Sequence, residues 1–466
     1  MCYNHGDSER DPHFDIRKNY MFIELPKNVH KIIETLEQAG FEAYAVGGCV
    51  RDSVLGRIPN DWDITTSAKP EEIKKTFKRT FDTGIKHGTV SVLFGNDIYE
   101  VTTYRIDGEY EDSRHPKDVT FTSDLKEDLL RRDFTINAMA YNPEKGLVDM
   151  YGGMEDIEKK VIRCVGNPHE RFSEDALRIL RAVRFAAQLD YTIDKETQDA
   201  IKELAPTLSK ISAERIQAEL TKILLSDHPE YLRLAYELKI TKVILPEFDD
   251  CMACEQHNPH HFLSVGEHTL MVVQNVKPDK NLRYAALFHD FGKVRTKTTD
   301  KLGIDHFKGH PLESEKIARE IFKRLKFDND TTRKVCLLVK YHDWMIGASP
   351  KNIRRLINQI GEECFPEMFD LNKADLIAQS RTFKAKEKRE LFERFEAAYK
   401  SVMDKKECVS LKTLKVNGSD VIRECGAEGS KVGAILKELL DIVLDDPSKN
   451  DREYLLNYLR EKKKID

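Results

Sequence analysis

Apolar residues at Val29, Ile32, Ile33 and Leu36 recur at helical spacing, and Gly40 then supplies a stop, so a helix is expected just ahead of it. "EAYAV" follows as a strand running into Gly47-Gly48, and "VRDSVLG" as the start of a second helix. Further strand-like runs are "DWDIT", "GTVSVLF" and "DIYEVTTYR". In "NDWDIT" the residues Asp61 and Asp63 alternate with Trp62 and Ile64, and a period of two puts both carboxylates on one strand face. From about Glu155 onward the pattern turns almost wholly helical, through "ALRILRAVRFAAQL", "AERIQAELTKILL" and "HPEYLRLAYEL". No internal repeat or low-complexity tract interrupts it. The pattern predicts an α+β head, a small mixed sheet with helices, followed by a long all-α remainder.

At 466 residues the chain outgrows a single core, and two to four domains are expected. With 40% hydrophobic and 33% charged residues it reads as a soluble, helix-rich globular protein. No apolar run approaches ~20 residues, so no membrane span is expected. The polar opening, "MCYNHGDSERDPHFDIRKNY", lacks the apolar stretch of a signal peptide and reads as a loose extension. Nine cysteines are scattered from Cys2 to Cys425 without a framework of spacings, which fits reduced thiols and a cytoplasmic location. The net charge of -5 argues against indiscriminate nucleic-acid binding but leaves room for a local basic face.

Two carboxylates held side by side repel each other, so Asp61 and Asp63 call for solvent or a cation. Hard oxygen ligands suit Mg²⁺, which shares its shell with substrate phosphates. Glu100, in "IYEVTTYR", sits on a later strand-like run and could line the same face. A lone D-x-D is more often an exposed acidic pair on an edge strand. The glycines shift that balance. Gly47-Gly48 lets backbone N–H groups approach an anion, the helix start adds its positive end, and Arg51 lies on the first turn. A phosphate cradle beside a metal-carboxylate pair is what nucleotidyl transfer needs.

"GG-x-VRD … DWDIT" resembles the signature of the DNA polymerase beta nucleotidyltransferase superfamily, and within it the class II tRNA nucleotidyltransferases, the CCA-adding enzymes, with bacterial poly(A) polymerases as near relatives. The blocks "TGIKHGTVSV", "LLRRDFTINAMAY", "LVDMYGG", "RFSEDALRILRAVRFA" and "ISAERIQAEL" match in the family's order over roughly the first half of the chain. The resemblance implies a nucleotidyltransferase-type head in which Asp61 and Asp63 ligate the metal, and Glu100, from its place on the later strand-like run, is expected to join them in the catalytic set. It implies that Gly48, Arg51 and Arg132 hold the triphosphate and sugar. Asp133 would accept a hydrogen bond from the ribose 2'-hydroxyl, Asn137 joins the nucleotide-binding set, and Asp149 with Gly152-Gly153 would form a hinge. Asp175 and Arg178, three apart, are expected on one helix face opposite the stripe Ala176, Ile179, Leu180 and Val183. An acceptor beside donors matches the Watson–Crick edges of cytosine and adenine and mismatches uracil and guanine. The family gives these two positions that role, and Arg181 and Arg184 continue toward the phosphates. On its own a D-x-x-R is an intrahelical salt bridge on a solvated face.

Asp107–Thr120, "DGEYEDSRHPKDVT", has no periodic apolar signal and is expected as a mobile loop. The CCA-adding family carries a loop here that is associated with the switch to the final A. This one departs at His115, where a second arginine is common. Further on, His268, His289, Asp290, His310, His342 and Asp375 form a mixed nitrogen and oxygen set suited to a divalent transition metal. "GEHT" and "HDFGK" resemble the HD phosphohydrolase domain, in which His268, His289, Asp290 and Asp375 would be core ligands and His310 and His342 would complete a two-metal set. Cys251 and Cys254, with His257, His260 and His261 nearby, invite a zinc reading. No second Cys pair stands at finger spacing, and loop residues entering the HD domain are the better account. "LKVNGSDVI" through "GSKVGAILKELL" is similar to the C-terminal segment of CCA-adding enzymes that grips tRNA, with Ser430 where proline is commoner.

The expected organisation is an extension (1–20), a head (21–155), a helical neck (156–248), an HD domain (249–382) and a helical, tRNA-binding tail (383–466). The expected partners are a tRNA 3' end, CTP and ATP. A-adding and poly(A) polymerase activities remain as alternatives, as does an HD-type phosphohydrolase whose head has become an RNA-binding module.

Overall fold

A computed structural model describes residues 22–108, 119–257, 263–343, 347–379 and 383–462. The chain divides into two compact units, the first ending at Ile211 and the second beginning at Ser212. The expected extension 1–20, most of the loop 107–120 with His115, and His260 and His261 lie outside the described residues.

The first unit opens with helix α1 (Lys27–Gln38), which buries Val29, Ile32, Ile33 and Leu36 and gives way at Gly40, where φ is 89°. Strand β1 (Ala43–Val46) is buried at all four positions and turns at Gly47 into helix α2 (Gly48–Val54). There follow β2 (Ile64–Thr66), α3 (Pro70–Thr76), β3 (Thr80–Gly84), β4 (Thr89–Phe94), β5 (Asp97–Thr103), β6 (Arg105–Asp107), β7 (Val119–Phe121), α4 (Leu125–Leu130), β8 (Met139–Asn142) and β9 (Gly146–Asp149). Seven strands form one mixed sheet in the order β3-β4-β5-β2-β1-β8-β9, with β2 and β5 parallel, and β6 pairs with β7 alone. Val90, Val92, Val101 and Ile64 face the core from one side of the sheet. Helices α5 (Gly153–Lys159), α6 (Pro168–Glu174) and α7 (Leu177–Leu189) follow, and α7 buries Ile179, Leu180 and Val183.

The strand expected over "DWDIT" is shorter than its pattern. β2 begins at Ile64, because β1 ends at Val46 and its register partner for Ile64 is Ala45. A single bond, Val46 N–H to the Asp63 carbonyl at 3.0 Å, extends the ladder, so the two aspartates project from the unpaired entrance to β2.

The second unit is nearly all helical. Helices Val265–Asn275, Lys280–Phe288, His310–Arg324, Asn329–Tyr341 and Phe365–Ala378 surround aromatic packing that includes Tyr284, Phe288 and Phe322. A separate apolar cluster around Leu439, Val443, Leu455 and Leu459 forms the core of the C-terminal helices. None of the described helices is long and apolar enough to cross a membrane.

Candidate functional site

The first site lies at the entrance to β2. Asp61 and Asp63 are both exposed, with Trp62 half-buried between them, so the alternation read from the sequence holds although the ladder does not. Ile64 is in register with Val101 on the parallel neighbour β5, which sets Asp63 beside Glu100. The three carboxylates sense one another. Partial desolvation raises the Asp63 carboxyl above its ordinary value; Arg132 opposes the shift and Asp61 reinforces it. Desolvation likewise raises Glu100, with Asp63 and then Asp61 adding to it. A divalent cation would relieve that mutual repulsion, so the donor set fits a hard metal ion.

Gly47 bends the chain toward this row with φ 85°, a conformation that a side chain would strain. A Cβ there would also stand 3.0 Å from Nη1 of Arg132. Arg132 therefore lies against the glycine turn while its charge reaches Asp63. It is held by Asp128, a fully buried carboxylate on α4 that accepts bonds from Arg131 Nε and Nη2 at 3.0 and 2.8 Å, Thr65 Oγ1 at 3.1 Å and Arg132 Nη2 at 3.5 Å. Burial alone would raise the Asp128 carboxyl, and the two arginines outweigh it and hold it low. Sequence reading missed Asp128. Its place three and four residues before Arg131 and Arg132 on a helix was the available signal.

Arg51 is buried on α2 and braced inside the molecule. Nη1 donates to Asn137 Oδ1 at 2.6 Å, Nε to Asp52 Oδ1 at 2.9 Å, and the guanidinium lies 5.0 Å from the centre of the Phe185 ring. Asn137 in turn donates to Asp133 Oδ1 at 3.1 Å, and Arg181 Nε donates to Asp133 Oδ2 at 2.7 Å. Burial would raise Asp133, but the Arg181 guanidinium and the Asn137 amide hold it well below the usual carboxylate range. Arg181 and Arg184 also lie 5.4 and 4.1 Å from the Phe185 ring centre, so one buried aromatic gathers three guanidiniums. Gly48, Arg51, Asn137, Asp133, Arg181 and Arg184 thus form one connected cluster behind the glycine turn. Asp149 caps α5, accepting from Gly153 N and Met154 N at 2.8 Å each.

The single helix expected through Asp175 and Arg178 is broken. α6 ends at Glu174, Asp175 takes extended backbone angles, and α7 starts at Leu177. The Asp175 carboxylate accepts from Leu177 N at 3.0 Å, a local bond that competes with helix continuation. Arg178 is on the first turn of α7, where it donates to Glu174 Oε2 at 2.5 Å, the Arg171 carbonyl at 3.0 Å and the Arg131 carbonyl at 2.9 Å. The stripe Ala176, Ile179, Leu180 and Val183 is fully buried, as the spacing predicts.

The second site lies in the second unit and brings together all six residues read from the sequence. His268, His289 and Asp375 form one triad and Asp290, His310 and His342 another, the ligand atoms of each lying within 4.8 Å of one another. Asp290 joins them. Its Oδ2 is 3.2 Å from His289 Nε2 and 3.5 Å from His268 Nε2, and its Oδ1 is 3.3 Å from His310 Nε2 and 3.6 Å from His342 Nε2. His268 Nε2 is 2.9 Å from Asp375 Oδ1. The rings of His289, His310 and His342 direct Nδ1 at the carbonyls of Ala286, Phe307 and Val339, which puts the proton on Nδ1 and leaves the Nε2 lone pair facing inward. Two such lone pairs, on His310 and His342, then meet at 3.2 Å, and the buried Nε2 of His289 has no hydrogen-bond partner. Both features fit a metal-binding centre. Lys293, unassigned by the sequence reading, adds a buried ammonium 2.7 Å from Asp290 Oδ2.

Cys251 belongs to helix Pro246–Ala253 rather than to a loop, and burial pushes its thiol well above the ordinary value. His257 turns to Asp305, its Nδ1 3.1 Å from Oδ2. Cys251 and Cys254 belong to neither of the two triads.

Comparison with known proteins matches this architecture. Residues 43–163 match the family described as poly A polymerase head domain, 190–252 the probable RNA- and SrmB-binding site of polymerase A, and 260–372 the HD domain. A CCA-adding enzyme of Lactiplantibacillus plantarum is 54% identical over 198 residues, 42% of this chain and 49% of that protein. That of Enterococcus faecalis is 54% identical over 199 residues, 43% and 49% of the two chains. The chain thus spans about half the length of the curated relatives it matches. Among solved structures, the Bacillus stearothermophilus CCA-adding enzyme in complex with CTP superposes with a TM-score of 0.70 at 28% identity, covering 94% of this chain and 98% of that one. The Thermotoga maritima CCA-adding enzyme complexed with tRNA shares the fold, with a TM-score of 0.56 at 23% identity and coverage of 93% and 94%. Matches to the head, RNA-binding and HD models occur here in one chain and in that order, and the chain is similar to CCA-adding enzymes in sequence over 42% of its length and in fold over 94% of it.

Proposed function

We propose that the chain adds CCA to, or repairs it at, the 3' end of tRNA, using CTP and ATP without a nucleic-acid template. The observation that carries this reading is the juxtaposition of Asp61, Asp63 and Glu100 with the Gly47 turn and Arg132. In the reaction the terminal 3'-oxygen bonds to the α-phosphorus of the incoming nucleotide, the bond from that phosphorus to pyrophosphate breaks, and the hydroxyl proton passes to solvent. Asp61 and Asp63, with Glu100 at hand, would hold Mg²⁺, which when bound would supply activation of the hydroxyl and charge neutralisation of the leaving pyrophosphate. Arg132 and the backbone at Gly47 and Gly48 steady the triphosphate, and the cluster of Arg51, Asn137, Asp133 and Arg181 fixes the wall behind it. Asp175 offers an acceptor and Arg178 its donors to the base, a pattern that cytosine and adenine satisfy and uracil and guanine do not. We assign tRNA binding to the helical tail on the same reading.

The second centre supports a further activity, metal-assisted hydrolysis of a phosphoester by the HD domain, because Asp290 links two triads of inward-facing ligands. Incubation with Mg²⁺ and tRNAs ending before CCA, after C and after CC, offered CTP, ATP or both, tests the main proposal. Three residues added to the shortest tRNA, ending in A, establish CCA addition. Growth from the CC end alone makes the protein an A-adding enzyme, and a long adenylate tail on any RNA makes it a poly(A) polymerase.

A further inference from the structure

The row of side chains that holds the carboxylates continues beyond Glu100 to the edge of the sheet. Phe81 is in register with Ser91, and Ser91 with Glu100, so Phe81, Ser91, Glu100 and Asp63 succeed one another across β3, β4, β5 and the approach to β2. The hydroxyls of Thr89 and Thr102, 3.0 Å apart on neighbouring strands, face the same way. The opposite side of these strands is the core side, with Val90, Val92 and Val101 buried and α3 tied to β3 by Lys74 and Asp82. On the carboxylate side Phe81 is 51% and Ile98 62% exposed, Leu93 is half-buried opposite Ile98, and Arg79, two residues before Phe81, is exposed. The row is open at Phe81, Ile98 and Glu100 and closed only at the small Ser91. An aromatic, two aliphatics and a cation on an open sheet face are the parts of a single-strand stacking platform.

Direction decides the occupant. The glycine turn and Arg132 lie on the β1–α2 flank of Asp63. A hydroxyl attacking in line must arrive opposite the leaving pyrophosphate, hence from the β5-β4-β3 flank. Resting on the nucleotidyltransferase reading, we propose that the open face of β3–β5 seats the unpaired 3' end of the acceptor RNA, Phe81 stacking on a base near the terminus and Arg79 meeting a backbone phosphate. Two strand spacings separate Phe81 from Glu100, about 10 Å, which is within reach of the last unpaired nucleotides.

The test uses the full chain and a tRNA acceptor carrying 2-aminopurine as its terminal base. Wild-type protein should quench the fluorophore by stacking, and Phe81→Ala should lose most of the quenching. Phe81→Ala should also raise KM for tRNA at least about fivefold, the lower end of what a base–aromatic stack contributes, with KM for CTP unchanged. Phe81→Tyr should restore both, and Arg79→Ala should raise KM for tRNA while flattening its salt dependence. Quenching and tRNA KM in Phe81→Ala equal to wild type would overturn the platform while leaving nucleotide addition intact. Because the fluorescence readout needs no turnover, the two proposals fail separately. Wild-type quenching that depends on Phe81, without addition, upholds the platform and defeats the transfer reading, whereas absent quenching in the wild type defeats the platform.

Discussion

Asp128→Ala removes the buried carboxylate that holds Arg131 and, beside the glycine turn, Arg132. Asp128 is fully buried and accepts two charge-assisted bonds from Arg131, at 3.0 and 2.8 Å, and one from Thr65 at 3.1 Å. Breaking a buried ion pair from one side costs about 3–5 kcal/mol. Here the side chains of Arg131 and Arg132 keep 17% and 19% exposure and regain some hydration when their partner goes, so the cost falls at the lower end. About 3 kcal/mol lowers the melting temperature of a unit of this size by roughly 6–12 °C. Asp128→Asn keeps the shape and one acceptor oxygen and should lose about half of that. Trp62 fluorescence in a Trp344→Phe background reports the melting of the first unit. The carboxyl is held low in the native state, so its contribution is present above the ordinary carboxylate range and is lost as pH falls through the native value. Asp128→Asn should therefore show a shallower acid dependence than wild type. A melting temperature for Asp128→Ala within about 2 °C of wild type would refute the claim that this carboxylate organises the arginines.

Three further outcomes follow from the same geometry. Asp133, also held well below its ordinary value, stabilises the fold above about pH 5, and that contribution drains away on acidification, so Asp133→Asn should flatten the acid limb of a pH-stability titration. Gly47→Ala sets a side chain at φ 85° and 3.0 Å from Arg132, and should cost about 1–2 kcal/mol of stability and raise KM for nucleotide in steady-state assays. Asp290→Ala should lower the divalent metal bound per chain, measured by elemental analysis, and reduce the thermal stability of the second unit, while nucleotide addition stays at the wild-type rate.

The sequence disclosed those features that rest on local periodicity or on residue type. The alternation at Asp61 to Ile64 survived into the structure because Trp62 and Ile64 turn inward whether or not the ladder reaches them. The strand's true start was hidden, because it depends on where β1 ends, at Val46 just ahead of the Gly47 turn. The break between α6 and α7 was hidden for a related reason. Apolar spacing runs smoothly through Ala176 to Val183, and the local bond that the Asp175 side chain accepts from Leu177 N, where the first helix gives way, leaves no mark in that spacing. The six candidate ligands of the second site were visible as residue types, but their division into two triads around Asp290 depends on five helices meeting in space. Phe81 gave no signal of its own, since an exposed aromatic on an edge strand becomes informative only once its register with Glu100 is known.

The most direct test of the central claim compares wild type with Asp61→Asn and Asp63→Asn in single-turnover addition of CMP and AMP to a tRNA ending before CCA, across a titration of Mg²⁺. Wild type should complete the three residues in a Mg²⁺-dependent manner. Each variant, nearly isosteric and exposed at that position, should fold and bind tRNA as wild type does yet add nothing measurable. Addition by either variant at close to the wild-type rate would contradict the assignment of these carboxylates to the metal, and with it the account of the head as the catalytic unit.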